Sequence, residues 1–129
     1  MTTLPLHQLT AGLRAQAEGA FGAEAAAELL IAHDHWLRRQ DFLDQLVDHD
    51  EHGGYKGRPV TWIDWPAVPA FAKHAPCSTS EANILRLAAE LVDVDTGVPL
   101  GQLLTGLDVR NSRLVAGAID HVLTRGGRR

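Results

Sequence analysis

Two stretches in the last third of the chain constrain the fold most, because they mark where helices must begin. Ser78-Thr79-Ser80-Glu81 precedes an apolar-periodic run. A serine hydroxyl there accepts from the backbone N–H three residues on, and the glutamate reaches back to the serine N–H, so two orphaned donors are satisfied together. Leu107-Asp108-Val109-Arg110-Asn111 opens a second run, where Asp108 supplies the N-cap half of the same arrangement. With a short helix between them, the spacing predicts helices over 78–91, 99–105 and 109–124, a compact three-helix unit. In the first of these Ile84, Leu87, Ala88 and Leu91 share a face; in the last, Val115, Ala118, Ile119, Val122 and Leu123 form the expected buried stripe.

The N-terminal half also reads as helical. Leu6, Leu9, Leu13 and Ala17 lie on one stripe of a helix expected over 5–20, with Gly19 and Gly22 at its end. From residue 23 to about 49 strong helix formers dominate, with Leu29, Leu30, His33, Trp36 and Leu37 on one face. A helix that long is unusual in a small domain, so a break is expected near Arg39-Gln40-Asp41, with Asp41 capping the second piece; an unbroken helix is the alternative. Residues 53–59 hold three glycines and a proline and form the main loop. Thr61-Trp62-Ile63 reads as briefly extended, without a partner strand. Asp64 is expected to cap a short helix running to His74. The expected fold is a single all-α domain, a bundle of five to six helices with no sheet of consequence. It comprises an acidic helical half (1–52), a Gly/Pro/aromatic loop (53–63) and a second helical half (64–129).

Composition narrows the function classes. At 129 residues, with 45% hydrophobic and 22% charged side chains, the chain can bury a core without staples. Residues 1–52 carry nine acidic and three basic groups, and residues 53–129 carry seven and nine. That asymmetry argues against a surface coated for nucleic acid, while leaving room for a local basic contact. The lone Cys77 forms no internal disulfide, and the first residues have neither a basic n-region nor an apolar h-region, so a cytoplasmic protein is expected. Ten arginines against two lysines, with abundant alanine, point to a GC-rich bacterial genome.

Four groups of residues invite chemistry. Asp48, His49 and His52 would share one side of a helix end at i+3 and i+4 spacing and could hold a divalent metal with a further ligand from elsewhere. His33 and His35, on a continuous helix, would point about 200° apart and share no ion. Cys77, with His74 three residues earlier, sits beside a helix start where a thiol can be activated, yet it occupies the hydrophobic-staple position opposite Ala82 and reads as packing. The order helix, short helix, longer helix resembles a helix-turn-helix, with Arg110, Asn111 and Arg113 placed to read bases and Arg125 to touch phosphate. Asp108 and Asp120 on the same helix oppose that reading. Finally, Tyr55, Arg58, Trp62 and Trp65 beside the glycine loop have the composition of protein-interface anchors, with one tryptophan expected in the core. No phosphate loop, nucleophile elbow or zinc-protease motif is present. The expectation is a non-enzymatic interaction or regulatory protein without a cofactor, binding a protein partner or itself. A helix-turn-helix DNA binder is the alternative and a metal protein the third reading.

Overall fold

The computed structural model describes residues 4–50 and 58–127. They form seven α-helices: α1 Leu6–Ala17, α2 Phe21–His33, α3 Gln40–Leu46, α4 Val68–His74, α5 Thr79–Leu91, α6 Leu100–Thr105 and α7 Val109–Gly127. Single 3-10 turns occupy Trp36–Arg38 and Trp65–Ala67. The fold is mainly helical, as its apolar periodicity predicts, with more helices than the expected five to six. No helix among the described residues is long and apolar enough to cross a membrane.

A small sheet corrects the all-helical expectation. β1 (Val47–Asp50) pairs antiparallel with β2 (Val60–Ile63), Val47 opposite Ile63 and Asp50 opposite Val60. The extended Thr61-Trp62-Ile63 segment therefore has a partner, supplied by residues expected to continue a helix. Val47 takes up β backbone (φ −111°, ψ 132°), and its N–H closes the last turn of α3 on the Leu43 carbonyl. A β-branched residue at that position loses little by leaving the helix. The sheet lies on α1, where Gly12 meets Thr61 so closely that an added Cβ would run into the threonine side chain.

The break between α2 and α3 comes earlier than the sequence implies. Asp34 adopts left-handed backbone (φ 56°) and its N–H bonds to the Leu30 carbonyl at 3.1 Å, ending α2. Asp41 does not cap α3. It lies within the first turn, where its carboxylate accepts from the Phe42 N–H at 2.9 Å and from Arg39 at 2.6 and 3.0 Å.

That early break turns Trp36 into the core. The side chain is fully buried, and its rings lie 5.9 Å from Phe42 and 5.7 Å from Phe71, centroid to centroid. The indole N–H donates to the Glu81 carbonyl at 2.9 Å, and the Arg39 guanidinium covers the ring at 4.7 Å. One side chain thereby joins α3, α4 and the first turn of α5. That turn carries the capping box in full: Glu81 N–H to Ser78 Oγ at 3.1 Å, Ser78 N–H to Glu81 Oε1 at 2.8 Å. At the centre, α2 packs against α1, α5 and α7, with the buried Ala25-Ala26-Ala27 triplet keeping its neighbours close.

Two stability outcomes follow from these contacts. Gly12→Ala should lower stability by about 1–3 kcal/mol, the usual cost of overpacking a tight contact. Trp36→Ala should cost about 3–5 kcal/mol. Urea unfolding followed by circular dichroism measures both; an unchanged midpoint for Gly12→Ala would mean that α1 and β2 separate freely.

Candidate interaction surface on the last two helices

α7 begins with its N-terminus fixed by short polar contacts. Asp108 is the N-cap, its carboxylate accepting from the Asn111 N–H at 2.8 Å, which is the half-box read from the sequence. The Asn111 side-chain amide donates to Ser80 Oγ at 2.8 Å, and the same hydroxyl accepts from the Asp108 N–H at 3.2 Å. Arg110 turns back and donates to the Ala32 carbonyl near the end of α2, at 3.3 Å. These bonds tie three helix ends together.

This corrects the placement of the residues expected to read DNA. Asn111 is buried and faces the protein, not a groove. Arg110 is exposed yet bonded to α2. Arg125, near the other end of the helix, stacks over Phe21 with its guanidinium carbon 5.4 Å from the ring. Arg113 alone of the four is exposed and unpaired among the described residues.

The buried stripe of α7 is also narrower than its periodicity predicts. Val115 and Ala118 are buried and Val122 half-buried, but Ile119 is 38% and Leu123 69% exposed. Val109 is 70% exposed, and on α6 Leu100 and Leu104 point outward while Leu103 is fully buried. Val109, Ala116 and Leu123 recur every seven residues, share a face with Arg113 and Asp120, and lie opposite Asn111 and Val115.

Trp65 is half-buried against the core, whereas Trp62 on β2 is 37% exposed. Arg58 pairs with Glu18 at 2.6 Å, while Tyr55 lies outside the described residues. Arg14–Glu28 (2.7 Å) extends this ion pairing, and His121 Nε2 lies 3.0 Å from Glu24, along a shallow groove of about 550 Å³ between α1, α2 and α7.

The helical spacing invoked for a metal at Asp48, His49 and His52 is absent. Residues 47–50 are a strand, so Asp48 and His49 project to opposite faces. His52 lies outside the described residues. Among the described residues no group of three His, Cys, Asp or Glu side chains could hold an ion. The Cys77 thiol is half-buried, and burial pushes its pKa up.

The early end of α2 has one chemical consequence the sequence hides. His33 and His35 are not on opposite sides of a helix; their rings lie 5.5 Å apart beside the start of α5, with His35 Nδ1 3.6 Å from Glu81. His33 is buried, and its Nδ1 has no hydrogen-bond partner among the described residues. Burial pushes its pKa below the ordinary value, His35 and Arg110 push the same way, and Glu81 and Asp108 oppose them. The folded chain therefore binds fewer protons at His33 than the unfolded chain does, so this contribution to stability is present above about pH 6.5 and is lost as pH falls. Glu24, held down chiefly by the Gly19 N–H, and Glu81, held down chiefly by the Ser78 N–H, weaken the fold only further down, below about pH 4.5. The urea midpoint should drop between about pH 7.5 and about pH 5.5, and His33→Gln should flatten that drop. An equally steep drop in the variant would assign the dependence to other groups.

No protein-family model matches this chain, and no curated protein or solved structure matches it significantly.

Proposed function

We propose that this chain is a non-enzymatic interaction protein whose binding surface is the outward face of α6 and α7. One observation carries the reading. Of the large apolar side chains exposed among the described residues, Leu100, Leu104, Val109, Ile119 and Leu123 belong to these two consecutive helices, and Trp62 alone lies elsewhere. Scattered apolar residues on a surface need no explanation, but their concentration on two consecutive helices supports a contact that excludes water. The rest of α7 is anchored through Asp108, Asn111, Arg110 and His121, so the face is presented on a rigid support.

The same contacts count against a groove-reading helix. Arginine and asparagine read base edges only when their polar ends are free, and Asn111 spends its amide on Ser80 while Arg110 bonds to α2. Asp108 and Asp120 add negative charge along the same helix. A cytoplasmic setting agrees with the single half-buried thiol, Cys77.

The test is affinity capture with the immobilised chain. Leu104→Asp and Leu123→Asp should remove the bound protein while leaving the melting temperature within a few degrees of the parent, whereas Trp62→Ala should retain it. Capture that survives both α6–α7 substitutions and is lost with Trp62→Ala would move the surface to the sheet. Retardation of duplex DNA that weakens with salt and with Arg113→Ala would replace this reading by the DNA-binding one.

A further inference from the structure

The outward face of α7 is self-complementary, and we infer that it pairs with a second copy of this chain as an antiparallel helix pair about a two-fold axis between Ala116 and Gly117. The inference rests on the reading of α6–α7 as the interaction surface and names its partner.

At 100° per residue, Val109, Arg113, Ala116, Asp120 and Leu123 fall within about 80° of one another, opposite the buried Asn111, Val115 and Ala118. All five are exposed. The arrangement is symmetric in sequence: Arg113 and Asp120 stand equally far from the point between Ala116 and Gly117, and Val109 and Leu123 lie outside them. A two-fold interface requires that if residue i meets residue j, j also meets i. With the axis at that midpoint, Arg113 of each copy faces Asp120 of the other, so one sequence relation yields two ion pairs of correct sign. Val109 of each copy then falls beside Leu123 of the other, which covers the two most exposed large apolar side chains among the described residues.

The centre and the charges are suited to that contact. Ala116 puts a small side chain at the crossing, and Gly117, at the edge of that face with nothing within 4 Å of a Cβ built on it, adds no bulk beside it, so the partner helix can approach closely. The Arg113 and Asp120 side chains have no hydrogen bond or ion pair with any described residue, although most charged groups around the α1–α2–α7 groove are paired. In a parallel pair like charges would lie level with like, so the charges select the antiparallel orientation. A contact between single helices about 28 Å long is small, and its affinity belongs to the weak, concentration-dependent class.

Sedimentation velocity of the full chain from micromolar to millimolar concentration tests the inference. The wild type should pass from monomer to dimer. Arg113→Asp and Asp120→Arg should each raise the dissociation constant about tenfold or more, because each replaces two attractions with two repulsions. The double variant carrying both changes should dimerise again, and an equimolar mixture of the two single variants should form a heterodimer. Circular dichroism of each variant checks that these exposed positions leave the fold intact. A chain that stays monomeric throughout overturns the inference, as does a dimer indifferent to both charge changes. If the wild type is monomeric yet still captures a protein through Leu123, the partner is a different chain and the α6–α7 reading stands. Loss of both dimerisation and Leu123-sensitive capture brings down the two together.

Discussion

Burial of Trp36 organises the N-terminal half of this protein and joins it to the C-terminal half. An indole is too large to bury at the margin of a packed helix, and its N–H must find an acceptor once water is excluded. The chain meets both demands by ending α2 at Asp34, turning through Trp36–Arg38 and delivering the ring between Phe42 and Phe71. The acceptor is the Glu81 carbonyl, in the same helical turn whose N–H groups are satisfied by the capping box. The start of α5 therefore serves as cap and as anchor, and the acidic half of the chain is fastened there to the basic half.

α7 answers to a different constraint. The buried apolar residues of its inner face, Val115 and Ala118, are narrow or small, and the alanine-rich α2 packs against this helix. Specific placement comes instead from polar contacts: Asn111 and Asp108 with Ser80 at one end, His121 with Glu24 toward the other. A helix held by such contacts on one side can present a hydrophobic ridge on the other without rolling to bury it. On the proposed reading, the outward Val109, Leu123 and Ile119 side chains are the surface offered to a partner.

Helix existence was legible from sequence wherever local chemistry sets it. Ser78 with Glu81, and Asp108, determined the starts of α5 and α7 through bonds that span three residues and need nothing else. Leu9, Leu13 and Ala17 likewise marked the buried stripe of α1. The candidate site was much less legible. Ile119 and Leu123 satisfy a helical period as well as Val115 and Ala118 do, and periodicity alone does not say how wide a stripe the neighbouring helix covers. Arg110 and Asn111 looked available to a ligand because their acceptors, the Ala32 carbonyl and the Ser80 hydroxyl, lie 78 and 31 residues away in the chain.

The sequence by itself determined that this protein is mainly helical and where two of its helices begin. Only the tertiary structure decided that residues 47–50 leave the helix to pair with 60–63, that His33 and His35 meet, and which face of α7 remains outside. The reason is range. Caps and periodicity are energies of neighbours three or four residues apart, whereas strand pairing, the acceptor of a buried indole and the width of a covered helix face depend on groups that only folding brings together.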